Sequence, residues 1–239
     1  LLDEDSAPDQ LIWNIYEVFL MRIIAILAVY NEERFIIPCL NHYIRNGIEV
    51  YLIDNESTDK TVENAEQFLD KGLIGIETLK RENVFSLRKQ LKRKEELSHI
   101  LDADWLLHID ADEYFVPLEK NKSLKETIKE IDNKGFNTVN FTECTFVPTI
   151  ENSDHDYKDF LKTMNYYYPF CPYPSHHIRA WRKQKTPVEL AWSGGHRVRF
   201  PGVNRYPKPL IMKHYIFLRN MKNEVMIRLK LKTDGMEIV

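Results

Sequence analysis

Four apolar runs, each closed by a polar turn and followed by a helical stripe, organise residues 22–110. The first, 22–29, is apolar at nearly every position, as in a strand buried on both faces of a parallel sheet. Tyr30-Asn31-Glu32-Glu33 interrupts it; Asn31 suits a helix N-cap and the glutamates suit a first turn. A helix to about Asn46 follows, with Phe35, Ile36, Leu40, Tyr43 and Ile44 on one stripe and Gly47 closing it. The second strand, 49–53, ends in Asp54-Asn55-Glu56-Ser57-Thr58-Asp59, where Ser57 or Thr58 is placed to cap a helix over 59–69. A third strand is expected at 73–78. A long helical pattern follows at 83–100, with Phe85, Leu87, Leu91, Leu97 and Ile100 apolar and a basic middle at Arg88, Lys89, Lys92, Arg93 and Lys94. The fourth strand, 105–109, delivers Asp110-Ala111-Asp112-Glu113. Alternation of this kind predicts an α/β fold with right-handed crossovers and a mostly parallel sheet.

Beyond Pro117 the pattern loosens. A helix is expected at 123–131 and an alternating strand at 136–147, and then 148–175 is irregular and rich in tyrosine and proline. Aromatic rings there suit the faces of sugars, and equally suit a packed loop. Strand-like pieces recur at 177–181, 188–192, 197–200 and 210–214, and 220–231 reads as a helix. The chain therefore divides into an amino-terminal extension (1–20), a first half (21–117) and a second half of the same domain (118–239). Residues 11–30 are apolar enough to raise the question of a membrane span, but Asn14, Glu17 and Arg22 interrupt them at a cost of a few kcal/mol per charge. No basic leader or small-residue cleavage site of a secretory signal is evident.

Charge adds one feature. The net value is only −3, yet residues 177–232 carry 14 Lys and Arg against two acids. Such a basic third suits an anionic ligand: a diphosphate, an acidic acceptor, or lipid head groups at the inner face of a membrane. A solvated basic face accounts for it equally well, and nothing marks a nucleic-acid binder. Cys39, Cys144 and Cys171 are odd in number and lack ligand spacing, which fits a reduced, cytoplasmic setting.

Candidate chemistry sits where the strands end, the place where open α/β sheets bind ligands. No glycine-rich phosphate loop accompanies these turns, so a nucleotide would need a divalent cation held by carboxylates. In this combination the chain resembles the family 2 glycosyltransferases of the GT-A fold. Ala28-Val29-Tyr30-Asn31-Glu32-Glu33 looks like their first-strand motif, and Ile53 to Asp59 is similar to their second-strand turn. Asp110-Ala111-Asp112-Glu113 matches their D-x-D.

The resemblance implies a metal-dependent, inverting and non-processive transfer of sugar from a nucleotide-diphosphate donor, a UDP-sugar, to a hydroxyl on a glycan, lipid-linked or protein-linked acceptor. Val29, Tyr30, Asn31, Glu33, Asp54 and Asn55 would line the base and ribose, with Arg88 and Asp110 also on the nucleotide. Asp112 would ligate Mn²⁺ or Mg²⁺, and His214 would complete the metal shell. Inversion needs a carboxylate to take the acceptor's proton; Glu189, in the second half near the two glycines, is the choice made on position, with Glu143 and Asp156 as rivals. Asn55 and Glu56 depart from the aspartate and glycine usual in that turn, and the motifs of processive synthases are absent. His196, after two glycines, is placed for phosphate or acceptor. His176 and His177, as neighbours on a strand, would point to opposite faces, which disfavours shared metal ligation. The main alternative is a binding module that keeps the fold without the chemistry. Nucleotidylyl transfer and a D-x-D phosphatase fit the motifs less well.

Overall fold

The computed structural model describes residues 21–82, 84–149, 155, 158–170 and 176–216. The first half alternates as the pattern predicts: β1 (Ile23–Val29), α1 (Ile36–Arg45), β2 (Glu49–Asp54), α2 (Thr61–Glu66), β3 (Leu73–Thr78), α3 (Leu87–Ile100) and β4 (Trp105–Ile109). The second half contains β5 (Glu113–Val116), α4 (Leu124–Asn133), β6 (Thr138–Phe146), α5 (Phe160–Thr163), β7 (Tyr167–Phe170), β8 (His177–Arg182) and β9 (Leu210–His214). The helix expected at 220–231 lies outside the described residues.

All these strands join one mixed sheet in the order β3-β2-β1-β4-β8-β6-β9-β5, with β7 also on β6. The first four are parallel, in register Val29 to Asp54 across β1 and β2 and Leu27 to Ile109 across β1 and β4. Their carboxyl ends therefore reach one edge together. β1 is buried because it feeds two cores. Ile23, Ala25, Leu27 and Val29 pack with Ile36, Leu40 and Tyr43 of α1 and with Leu124, Ile128 and Ile131 of α4. Ile24 and Ile26 face Leu91 and Leu97 of α3, Val188, Leu190, Val198 and Phe200. Each such aliphatic side chain contributes roughly 1.5–3 kcal/mol over an exposed one.

Several helix starts differ from expectation. Asn31 does not cap α1: its backbone is left-handed (φ 55°), and the helix begins at Ile36 without a side-chain cap. Neither Ser57 nor Thr58 caps α2, which starts at Thr61; Asp59 Oδ1 instead accepts from the Thr61 N–H at 2.9 Å. In both places the polar side chains tie one loop to the other, and that competes with capping. α3 and α4 do begin on serines, Ser86 and Ser123, the second as a full capping box with Glu126.

β5 was not expected. It leaves the acidic turn at once but pairs with β9, Glu113 opposite His214 and Val116 opposite Ile211. The turn after β4 thus crosses the sheet, and β6 pairs with β9 on one side and with β8 and then β7 on the other. The pieces expected at 188–192 and 197–200 are two isolated bridges, Glu189 with Arg199 and Ile178 with Arg197, and a one-turn 3-10 helix, Ala191–Ser193. Among the described residues no helix is long and apolar enough to cross a membrane.

Candidate active site

Two loops at the carboxyl edge are laced together. Asn31 Oδ1 accepts from the Thr58 N–H at 2.7 Å, the Asn31 N–H donates to Ser57 Oγ at 3.0 Å, and the Glu33 N–H donates to Asp59 at 3.1 Å. The buried Asp54 carboxylate accepts from the Ser57 N–H at 3.1 and 3.2 Å, and the Val29 carbonyl accepts from the Asn55 N–H at 2.8 Å. Both polar atoms of the Asn55 side chain face protein: Nδ2 donates to the Leu79 carbonyl at 2.6 Å and Oδ1 accepts from Gln90 at 2.9 Å. Glu56, where glycine is usual, holds φ 61°, a conformation that costs a non-glycine residue about 1 kcal/mol. Its carboxylate accepts from the Arg81 N–H at 2.8 Å, which offsets that strain. The Arg81 guanidinium lies 3.6 Å from the ring centroid of Tyr30, itself exposed at the edge. Arg81 was not singled out by the sequence; Arg88 was, and it is exposed on the first turn of α3.

The acidic turn rests on buried cations. Lys94, reaching in from α3, donates to His108 Nδ1 at 2.7 Å and to the Ile109 carbonyl at 3.0 Å, with Asp110 Oδ1 3.8 Å away. Arg179 of β8 donates from Nη1 to Asp110 at 3.1 Å and to Glu113 at 2.7 Å. Burial pushes the Asp110 carboxyl up, but its interactions with His108, Lys94 and Arg179 outweigh it and hold the group well below the usual carboxylate range. Glu113 is pushed up to about 7 by burial, with Arg179 opposing and Asp110 and Asp112 adding like charge. Burial likewise lowers Lys94 to about 8. One full negative charge at Asp110 is therefore held ready beside two cations.

Asp112 turns to the other side. Its Oδ2 lies 3.4 Å from Nε2 of His214 on β9, and its carbonyl accepts from the Tyr215 N–H at 2.9 Å. His214 Nδ1 meets Glu143 Oε1 at 2.7 Å, and Glu143 Oε2 meets His177 Nε2 at 2.9 Å. Burial works against charge on His214, but its bonds to Asp112 and Glu143 outweigh it and hold the imidazole up to about 11. Burial raises the Glu143 carboxyl, and the two histidines more than reverse that.

The structure thus joins Val29, Asn31, Glu33, Asp54 and Asn55 in one loop pair, and brings Asp112 to His214. It does not bring Glu189 to either group: that carboxylate pairs with Arg199 at 2.6 Å on a half-exposed bridge. Part of the basic third is likewise engaged within the protein, Arg179 as above and Arg182 with Asp132 at 2.7 Å. His176 and His177 are not on opposite faces. His176 precedes β8, outside the strand's alternation, and the two ring centroids are 4.3 Å apart. Two cavities of about 950 and 910 Å³ lie away from the acidic turn. One, beside Asp104 and Lys183, is at the opposite edge of the sheet, and the other lies over α1 beside Glu33.

The fold, a mixed curled sheet with helices on both faces, is that of the GT-A glycosyltransferases. The family model described as glycosyl transferase family 2 matches residues 24–186, and the chain belongs to that family. The structure of S. aureus TarS 1-349 in complex with UDP is similar over 92% of this chain and 67% of that one, at 15% identity and a TM-score of 0.51. A structure of the longer S. aureus TarS is covered to 41%, at 13% identity and a TM-score of 0.47. In sequence, Uncharacterized protein MJ0544 of Methanocaldococcus jannaschii is 25% identical over 105 residues, 44% of this chain and 46% of that protein. The chain thus spans about half the length of that relative.

Proposed function

We propose that this chain is a glycosyltransferase that takes its sugar from a nucleotide-diphosphate donor, a UDP-sugar, and passes it with inversion to a single hydroxyl acceptor in a divalent-cation-dependent reaction. The observation that carries the reading is the approach of Asp112 Oδ2 to His214 Nε2 at 3.4 Å, with Glu143 fixing the far side of the ring. A carboxylate with an imidazole so oriented fits Mn²⁺ or Mg²⁺, the ion displacing the proton that the two carboxylates hold on the ring, with the nitrogen favouring Mn²⁺. Bound there, the ion would supply charge to neutralise the departing diphosphate. UDP in the S. aureus TarS structure supports a uridine donor.

The chain's own groups divide the remaining work. Asp110, kept ionised by Lys94 and Arg179, accepts a hydrogen bond from a ribose hydroxyl. Tyr30 and Arg81 offer a flat, cationic surface for the base at the edge near Asn31 and Asp54. The exposed rings of Tyr166, Tyr167, Tyr168 and Phe170 along β7 suit the apolar faces of an acceptor sugar. Glu143 is locked between two histidines. Glu189, half exposed and paired with a half-exposed Arg199, is the carboxylate freer to swing and take the acceptor's proton. The free thiols Cys39 and Cys144 suit a reducing, cytoplasmic setting.

Calorimetric titration of UDP with and without Mn²⁺ tests the proposal. Tight binding that depends on the ion and is lost in Asp112→Ala supports it. Binding indifferent to both would sink it, and donor binding without transfer or hydrolysis would leave a binding module.

A further inference from the structure

Three histidines lie on the far side of Glu143 from Asp112, and the glycosyl-transfer reading uses none of them. The rings of His176 and His196 stack with centroids 4.7 Å apart, and that of His177 is 4.3 Å from the first and 5.3 Å from the second. Each offers a ring nitrogen, and these nitrogens all lie within 4.8 Å of one another. Nitrogens bound tetrahedrally at about 2.1 Å from a Zn²⁺ ion stand about 3.4 Å apart, so modest ring rotations close the set.

We infer that His176, His177 and His196 form a second metal site, selective for a borderline transition ion such as Zn²⁺ and separate from the Asp112–His214 pair. The orientation of His177 is the first support. Its Nε2 is 2.9 Å from the Glu143 carboxylate and so carries the proton, which leaves Nδ1 as a lone pair. That nitrogen is buried and, among the described residues, makes no hydrogen bond, and His196 Nδ1 is in the same condition. A buried polar atom without a partner costs about 1–3 kcal/mol. One cation would satisfy both. A histidine donating its second nitrogen to a carboxylate is also how metal-ligating imidazoles are commonly oriented.

Charge state and backbone agree. Burial lowers His177, and burial together with Arg179, His177 and His176 lowers His196 to about 4, so both rings are neutral near pH 7, the form that binds metal. His196 reaches the cluster because Gly194 and Gly195 adopt φ 63° and 85°. At Gly195 a Cβ would lie 2.7 Å from His108 Nε2, so the turn is pressed against the floor of the acidic site. A set of imidazoles without a carboxylate favours Zn²⁺ over Mg²⁺ or Ca²⁺, and three ligands leave a fourth position for water or a substrate oxygen. Glu143 touches a histidine of each site, so an ion on His177 would steady His214 through it.

The test uses the full chain, stripped with a chelator and titrated with Zn²⁺ against a chromophoric competitor. Co²⁺ is added in parallel to read the visible bands of a tetrahedral nitrogen site. The expected result is one ion per chain, bound about 100-fold or more weakly in His196→Ala, with unchanged binding in Asp112→Ala. Should His196→Ala fail to fold by circular dichroism, His176→Gln decides by the same readout. Unchanged affinity in the folded histidine variant, or loss of zinc in Asp112→Ala, would overturn the inference. Neither UDP nor sugar enters the measurement, so its outcome is independent of the glycosyl-transfer reading.

Discussion

Glu143 Oε1 stands 2.7 Å from Nδ1 of His214, and this contact turns Nε2 of the same ring toward Asp112. A carboxylate behind a ligating imidazole sets both its orientation and its basicity. Glu143→Gln should therefore weaken Mn²⁺-dependent UDP binding by about 10–100-fold while leaving the far-UV spectrum of the fold intact. Calorimetry across a range of Mn²⁺ concentrations checks this. Equal affinity in the two proteins would mean that His214 needs no such support.

Arg179 is 4% exposed and holds both Asp110 and Glu113. Replacing it by leucine leaves Glu113 buried beside the half-exposed Asp110, with only Lys94 to balance the two. Breaking a buried pair in this way costs roughly 3–5 kcal/mol. The midpoint of urea denaturation in Arg179→Leu should fall accordingly, and a shift of under about 1 kcal/mol would show that water already screens the cluster.

Burial lowers Lys94 from 10.5 to about 8. Between those values the unfolded chain keeps a proton that the folded chain has released, so stability attributable to this group rises with pH. The penalty is complete below about pH 8 and gone near 10.5. Raised tyrosines and Cys39 act in the opposite direction, so the informative quantity is the difference from Lys94→Met. That difference should move toward the wild type by roughly 1–3 kcal/mol as the pH climbs through this window. Denaturation curves at several pH values measure it, and parallel pH dependences would contradict it.

The half-buried Arg81 guanidinium lies 3.6 Å from the ring centroid of the exposed Tyr30, a stack with room for a planar partner on the ring side. If the base of the donor rests there, Arg81→Ala should weaken UDP about 3- to 30-fold, in line with a cation–π contact of roughly 1–2 kcal/mol. Folding should be untouched, since the pair lies at the surface. An unaltered UDP affinity would move the base elsewhere.

The first half of the fold was legible because each of its strands carries its own signal. β3 and β4 fall where the apolar runs put them, and the acidic turn follows at the predicted edge. β5 escaped because four residues behind a cluster of acids read as part of the turn, and its partner β9 is remote in sequence. In the sequence Lys94 belongs to the basic middle of α3. Yet it lies three residues from both Leu91 and Leu97, on the apolar stripe of α3, and that position marks a cation turned inward. Arg179 gave no such hint, since its carboxylate partners come from other strands. Asn31, Ser57 and Thr58 misled as caps because short polar side chains serve a loop as readily as a helix end.

The pairing of Glu113 with His214 has a consequence for synthesis of the chain. Translation produces β5 long before β9, so the nascent protein must hold an unfinished strand margin while the intervening residues emerge. Pairings between such remote segments are slow to close. The approach of Asp112 to His214 should therefore form abruptly, as one of the final events of maturation, when β9 carries its imidazole into place.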